Sequence, residues 1–423
     1  MNLSLGIDFG TTGARSTVID SQGTIHCETE YTFANKGPQQ PELPSVWQNA
    51  LWDVIEQIPP TIRNQVKAIA LDGTSSTVML CNTDGIPVCE PILYNDARGA
   101  AVTERLRAIA PDNHTVLSAT SSLAKLLWFQ DFREETTPTV FLHQADWLAF
   151  LLHGKLGISD YHNALKLGFD VDTLCYPNWL IEGIAGAATP ELPQVVAPGT
   201  PVGEVRVQVG DRFGFPRHCM VCAGTTDSIA AFLASGVNLP GEAVTSLGST
   251  LAVKLLSHTR IDDSRYGIYS HKLGDLWLVG GASNTGGAVL RHFFTDVELQ
   301  NYTTQIDPAQ ESLLDYYPLL KKGDRFPIND PNLSPRLEPR PTDPVEFLHG
   351  LLESIARIEA RGYQLLQEFG ATPLIKVFTA GGGAKNSVWS AIRKRYLKVP
   401  VVTPIHTAAA YGTALLAMRS VTD

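Results

Sequence analysis

Cysteine is scarce in this chain of 423 residues: Cys27, Cys81, Cys89, Cys175, Cys219 and Cys222 are spread too thinly for a disulfide scaffold and read as reduced thiols. The spacing Cys219-Met220-Val221-Cys222 suits redox or zinc chemistry, but no second Cys/His pair accompanies it. It also lies in an apolar, strand-like run, where residues three apart point to opposite faces, so both thiols are expected to be inert core residues. Basic residues are outnumbered, 33 Lys and Arg against 43 Asp and Glu, giving a formal net charge of −10 with no dense basic block. That balance excludes nucleic acid as the expected partner. No apolar run reaches the ~18 residues that read as a membrane span, and neither a signal n-region nor an Arg/Ser-rich transit segment precedes the first strand-like run. A cytoplasmic location without a membrane partner is expected, or a stromal one if a transit peptide is missing from this chain. Two nucleotide fingerprints are absent as well: no G-x-x-x-x-G-K-S/T loop occurs, and no G-x-G-x-x-G opens a first βα unit.

What the chain does carry is a glycine turn between two apolar runs, Leu5-Gly6-Ile7-Asp8-Phe9-Gly10-Thr11-Thr12-Gly13-Ala14-Arg15-Ser16. Leu3 to Ile7 and Ser16 to Ile19 read as strands, and Gly10 and Gly13 let the backbone between them aim several N–H groups at one anion. A carboxylate at Asp8 repels a phosphate, and therefore makes sense beside it as the holder of a divalent cation. The plain alternative is a β-hairpin whose Thr and Asp satisfy their own turn. The turn has an echo at Thr245-Ser246-Leu247-Gly248-Ser249-Thr250-Leu251. Strand-like runs follow in each half, Lys67 to Leu71 and Thr77 to Cys81, then Gly267 to His271 and Leu276 to Val279. The chain is read as two α/β domains of related topology, residues 1–236 and 237–423, facing each other across a ligand-binding cleft.

Helical periodicity runs from Ser122 to Arg133 and, over a longer stretch, from Val345 to Phe369, capped by Thr342 or Asp343 with Pro344 in its first turn. Lys321 to Pro344 contains six prolines and is expected to be an extended loop inside the second half.

Three further segments offer chemistry. Thr379 to Ser387, containing Gly381-Gly382-Gly383-Ala384-Lys385-Asn386, sits between an apolar strand, Leu374 to Phe378, and a helix-like stretch, Val388 to Leu397, where a flat ring or phosphate can approach the backbone. Asn386 either caps that helix or bonds a base, and Trp389 is either a core anchor or a stacking wall. Gly224-Thr225-Thr226-Asp227-Ser228 ends at a helix start, so Asp227 is either an N-cap or a general base for an attacking hydroxyl, kept ionised by the positive helix end. Asp72-Gly73-Thr74-Ser75-Ser76-Thr77 and Tyr94-Asn95-Asp96-Ala97-Arg98 hold side chains suited to sugar hydroxyls, Asp96 and Arg98 having mutual pairing as the alternative.

In order and spacing these pieces resemble the FGGY carbohydrate kinases, within the sugar kinase, Hsp70 and actin superfamily, almost end to end. The D-x-G-T-T-x-x-R element is Asp8 to Arg15, the E-Q-x-P-E segment survives in part as Gln39-Gln40-Pro41-Glu42, and Gly224 to Asp227 matches the catalytic-aspartate loop. Gly248-Ser249-Thr250 stands where G-T-S is usual. Ser283 to Arg291, Leu351 to Ala356 and Ala380 to Asn386 resemble the nucleotide-side helix start, the long helix and the adenosine motif.

The resemblance implies two ribonuclease H-like (actin-like ATPase) domains with a central cleft, sugar held mainly by the first and ATP mainly by the second. It makes Asp227 the catalytic base and Asp8 the Mg²⁺ organiser. Asp8, Asp72, Ser75, Asp96, Arg98 and Asp227 line the sugar side, and Thr11, Thr12 and Gly13 meet the transferring phosphoryl. Gly248, Ser249, Thr250 and Gly287 hold the β- and γ-phosphates; Gly382, Gly383 and Asn386, with Trp389, hold the adenosine. The chain is short for the family, which implies smaller peripheral insertions, a more open sugar pocket and a different oligomer surface, and has Pro38 where a Glu is expected; a monomer or homodimer is expected. It most resembles compact cyanobacterial and plant kinases related to xylulokinases, implying phosphorylation of a ketopentose, D-ribulose first and D-xylulose or another sugar or polyol second. An ATP-hydrolysing switch or chaperone-like protein is the alternative of a different class; the chain lacks a separate peptide-binding region after its last helix-like run, Ala408 to Arg419.

Overall fold

The computed structural model describes residues 2–33, 42–132, 137–186 and 189–420. Contacts divide the chain into two compact units, Met1–Ala234 with Ala408–Asp423, and Ser235–Thr407.

The first unit is built on a sheet in the order Ile25–Thr32, Gly13–Ile19, Leu3–Phe9, Val66–Gly73, Met220–Cys222, Pro201–Glu204, with Thr225–Thr226 pairing Val66–Gly73 as well. The first three strands form an antiparallel meander, and Val66–Gly73 runs parallel to Leu3–Phe9. Both central strands are almost wholly buried because helices cover both faces, the arrangement that parallel strands need. Leu43–Glu56 and Gln144–His153 pack on one face through Trp47, Leu51, Trp147 and Leu148. A satellite core forms around the hairpin Val78–Cys81 with Val140–His143 and the helices Thr103–Ile109, Ser122–Phe132 and Asn178–Ile184. The sequence-predicted helix from Ser122 thus ends at Phe132; Arg133 lies outside the described residues, as do Pro38 and Gln39-Gln40-Pro41.

The second unit repeats the plan. Glu242–Leu247 and Leu251–Ser257 form the hairpin, Leu276–Ser283 and Tyr269–Leu273 extend it antiparallel, and Lys376–Ala380 and then Val401–Val402 join parallel on the other side. The echo of the glycine turn is therefore a topological repeat: in each unit the turn links the first two strands, and a later strand, Val66–Gly73 or Lys376–Ala380, lies parallel to the first. Pro344–Glu368 is one long helix, with Asp343 accepting from Val345 N at 2.9 Å, and its apolar stripe from Phe347 to Leu366 is buried. Asp324, 2% exposed, holds the proline-rich segment in place by accepting from Ser283 Oγ, Asn284 N and Tyr317 Oη.

Contacts group the last helix, Ala409–Arg419, which the sequence reading placed with residues 237–423, with the first unit. The physical reason is close backbone approach between small residues. A Cβ on Gly6 would lie 2.1 Å from Ala410 O, and one on Gly412 would lie 1.8 Å from Ala230 O. No helix among the described residues is long and apolar enough to cross a membrane.

Candidate active site

In the first unit, strand register collects the acidic residues. Asp8 and Asp72 are direct partners in the parallel pair Leu3–Phe9 with Val66–Gly73, and Thr225 is the partner of Asp72 on the next strand segment. Asp227 follows as the first residue of the helix Asp227–Ala234. All three carboxyls thus stand at the C-terminal ends of parallel strands, where ligands bind in open α/β sheets. Beside them Thr11 and Thr12 are exposed at the tip of the turn closed by Gly10 N donating to Gly13 O at 3.0 Å. Gly13 must be glycine, since a Cβ there would meet Tyr31 O at 2.1 Å.

The carboxyls differ sharply in environment. Asp8 is 6% exposed; burial pushes its carboxyl up, against a hydrogen bond shared with Asp72 and the Arg15 guanidinium 3.8 Å away, which pull it down. Asp72 is 0% exposed and pushed well above the usual carboxylate range by burial, with the charges of Asp8 and Asp227 adding to the effect. Its Oδ2 accepts from Thr413 Oγ1 of the last helix. Its Oδ1 meets no donor while both carboxyls are ionised, and bonds Asp8 only when one of the two holds a proton. Asp72, expected from sequence to contact sugar, is wholly buried, engaged by Thr413 and paired in strand register with Asp8. Asp227 is half-buried, and its Oδ1 accepts from Ser228 N at 2.6 Å.

This donor set suits magnesium, which takes one or two carboxylates and completes its shell with water and phosphate oxygens. Two adjacent carboxyls with a surplus of acceptor atoms, and exposed Thr11 and Thr12 hydroxyls alongside, fit such an ion at Asp8. No group of three or more His, Cys, Asp or Glu among the described residues is arranged as a metal cage.

Ser75 is half-buried in the loop leaving Val66–Gly73. Asp96 and Arg98 adopt the mutual pair: Arg98 Nη2 lies 2.7 Å from Asp96 Oδ2, and its guanidinium lies 4.8 Å from the centre of the Trp128 ring. Burial raises the Asp96 carboxyl, but the hydrogen bonds from Arg98 outweigh it and hold it low. Beneath both loops is a residue that sequence reading passed over, Lys125, 0% exposed and pushed down to about 7 by burial. A second omission lies behind Thr225: His162 Nδ1 bonds its hydroxyl at 2.7 Å and Asn163 Nδ2 donates to its carbonyl at 3.2 Å. Burial lifts the carboxyl of Asp160, which holds Asn163, to about 7. A lone lysine among Leu123, Ala124, Leu126 and Leu127 was the available signal for the first; Thr413 and the Thr225 support had none.

In the second unit the glycine loops converge at the end of Glu242–Leu247. Ser249 and Thr250 are exposed. Gly287 N and Ala288 N donate to Gly248 O and Ser249 O at 2.9 and 3.0 Å, so these amides are already engaged. Gly287, expected from sequence to meet phosphate, packs closely here, since a Cβ there would lie 2.6 Å from Gly248 O. Gly381, at φ +84°, and Gly383 lie against Leu247, whereas a Cβ on Gly382 would meet nothing within 4 Å. That open backbone face is where a planar ring can approach. Asn386 caps the helix Ser387–Leu397 by accepting from Trp389 N at 2.8 Å, and its Nδ2 donates to Thr303 Oγ1 at 3.2 Å.

Trp389 is corrected to a core anchor: it is 2% exposed and its Nε1 donates to Leu352 O at 3.1 Å. Trp389→Leu is expected to cost about 2 kcal/mol or more in a melting experiment, through a cavity and a stranded carbonyl. KM for ATP should be unchanged. A parental melting temperature with the weakened nucleotide binding that loss of a stack worth ~1–3 kcal/mol produces would restore the stacking role.

Beneath both loops lies a buried ion pair, Arg393 Nε and Nη2 on the two oxygens of Glu359 at 2.6 and 2.7 Å, with both side chains 0% exposed. Arg393 Nη1 also donates to Thr379 Oγ1, and Thr245 Oγ1 donates to Glu359, so the pair ties together the two strands that lead into the glycine loops. The six cysteines are free thiols, and burial pushes Cys219 up to about 12, in keeping with an inert core residue.

Comparison with known proteins bears on the family and the fold. The N-terminal domain model of the FGGY family of carbohydrate kinases matches residues 3–234, and the C-terminal domain model matches residues 243–421, including the last helix that contacts assign to the first unit. A xylulose kinase of Staphylococcus xylosus is 21% identical over 98% of this chain and 90% of its own length. Among solved structures, a kinase from Brucella ovis whose title names xylulose (spelled there "xyloylose") superposes with a TM-score of 0.87 at 22% identity, covering 100% of this chain and 91% of the other. Plasmodium falciparum glycerol kinase with ADP gives a TM-score of 0.83 at 17% identity, covering 100% and 90%. The chain belongs to the FGGY family of carbohydrate kinases.

Proposed function

We propose that this chain transfers the γ-phosphoryl of ATP to the 5-hydroxyl of a ketopentose. The observation that carries the reading is the half-buried Asp227 at a helix start, grouped by strand register with the buried pair Asp8 and Asp72. Asp227 accepts the proton of the attacking hydroxyl, and the helix end favours its ionised form. Asp8 holds Mg²⁺, Asp72 and Thr413 fix Asp8, and the Thr11 and Thr12 hydroxyls meet the transferring group. ATP with Mg²⁺, when bound, supplies the phosphoryl and neutralises its charge. Positioning of that kind accounts for most catalysis of phosphoryl transfer. In the second unit, Ser249, Thr250 and the open face of Gly382 serve the nucleotide, with Asn386 setting the helix that follows.

On the sugar, the names borne by the S. xylosus and B. ovis relatives favour D-xylulose over D-ribulose as the first candidate. The two sugars differ in the configuration of a single carbon, which pocket shape reads and motif does not. The test is a panel of D-xylulose, D-ribulose, other pentuloses, hexoses, glycerol and further polyols, with ADP release and mass-detected sugar phosphate measured together. A ketopentose phosphate formed in step with ADP is expected. ADP without any sugar phosphate would sink the kinase reading in favour of an ATP-hydrolysing switch.

A further inference from the structure

We propose that Lys125 is a positioning residue for sugar binding, fastening together the two loops that carry Ser75 and the Asp96–Arg98 pair; the proposal rests on the sugar-side role given to the first unit above. Lys125 lies on the helix Ser122–Phe132 with no exposed surface, and its Nζ donates to Ser76 O and to Leu93 O, each at 2.7 Å. The two carbonyls belong to different loops, one leaving the strand Val66–Gly73 and one leading into Tyr94–Arg98. A second tie joins the same loops: Tyr94 N donates to Thr77 Oγ1 at 3.0 Å. The same helix also meets the second loop one turn on, where Trp128 lies under the Arg98 guanidinium.

The backbone at the first contact is unusual. Ser76 has φ +64°, a left-handed conformation that a non-glycine residue holds only when its surroundings impose it, and such outliers gather at binding and catalytic sites. Its hydroxyl is buried and has no hydrogen-bond partner, so the residue is not held by its own side chain. The turn closed by Thr77 N donating to Thr74 O at 3.1 Å places Ser76 where φ is positive, and the Lys125 ammonium on its carbonyl adds a tether from outside that turn. A buried ammonium is a costly way to fill space, and an apolar side chain would do so better. What it adds is a compact head with several N–H donors, able to bond two carbonyls from separate segments at once. The nearby charges are those of Asp96, Arg98 and Lys166, and of these only Asp96 favours the cation. Sugar hydroxyls are read by donors and acceptors on these loops, so the spacing between the loops sets how well a given pentulose fits.

Lys125→Met removes the staple, and Thr77→Val removes the second tie at nearly constant volume. Each variant would be assayed for KM and kcat toward D-xylulose and D-ribulose, KM for ATP, sugar affinity by titration calorimetry, and melting temperature. For Lys125→Met, sugar KM and Kd are expected to rise roughly tenfold or more, as loss of charge-assisted hydrogen bonds implies, with KM for ATP unchanged. Thr77→Val should move the same two constants in the same direction by a smaller factor. A lower melting temperature with parental sugar KM and Kd would mean that Lys125 only stabilises the fold, and would overturn the proposal. If Lys125→Met does not fold, Thr77→Val decides alone: parental sugar KM overturns the proposal and a raised one supports it. A parental enzyme that phosphorylates no sugar is a failure of the kinase reading, and is separated from this one because calorimetry reports sugar binding without turnover.

Discussion

Asp227→Ala lowers kcat for sugar phosphorylation by about 10²- to 10⁴-fold, the contribution of a positioned general base. The expectation follows from placement. Asp227 opens the helix Asp227–Ala234, stays half-buried, and lies near enough to Asp72 for its charge to be felt there. Its Oδ1 already accepts from Ser228 N at 2.6 Å, so Asp227 engages the backbone at the helix start as well as offering a base. Asp227→Asn separates the two roles, because the amide oxygen still accepts at the helix start but cannot take a proton at neutral pH. We expect Asp227→Asn to melt with the parental protein and to lose activity like the alanine variant, with KM for ATP unchanged in both. Turnover by Asp227→Asn at the parental rate would leave only the backbone role, and the base would have to be sought elsewhere.

Glu359→Ala is expected to destabilise the protein by about 3–5 kcal/mol, because it leaves the Arg393 guanidinium buried without a counter-charge. For a domain of 150–250 residues each kcal/mol shifts Tm by about 2–4 °C, so a drop on the order of 10 °C is anticipated. The consequence reaches function through Thr245 and Thr379, whose hydroxyls are held by the same pair and whose strands lead into Gly248–Thr250 and Gly381–Gly383. In the surviving folded fraction KM for ATP should rise while KM for sugar holds. Replacing both partners by apolar residues, Glu359→Leu with Arg393→Met, should recover part of the stability, since removing a buried pair together costs less than stranding one member. A melting temperature within a degree of the parental value for Glu359→Ala alone would show that the guanidinium finds another partner or water.

The parts of the site that were legible in the sequence are those decided locally. Gly10, Gly13, Gly248 and Gly381 mark turns because their backbones must bend or pass close to a neighbour. Asp343 and Asn386 mark helix starts because a short polar side chain caps the helix within a few residues of itself. Cys219 and Cys222 read as inert core thiols from strand alternation alone. The repeat of the first turn at Gly248 was enough to propose two units of like topology, since a hairpin followed by a parallel strand leaves the same order of elements in each half.

What remained illegible depends on distance along the chain. The helix Ala409–Arg419 joins the first unit through Ala410, Gly412 and Ala414, and small residues advertise a close approach without naming the surface approached. Trp389 reads equally well as a wall or an anchor until the Leu352 carbonyl is found behind it. Asp72 and Asp8 look alike in sequence, each an aspartate ending an apolar run. Only the parallel register sets them side by side, and only Thr413, 341 residues further along, shows which one is buried as support.

The sequence by itself determined the two related α/β units and the glycine turns, because those features are written in short-range backbone geometry, and the family resemblance named Asp227 as the candidate base. The tertiary structure alone decided that Asp72 is buried against Thr413, which lysine binds two loops, and against which unit the last helix packs. Burial and pairing between distant segments are properties of packing, and no local pattern of residues encodes them.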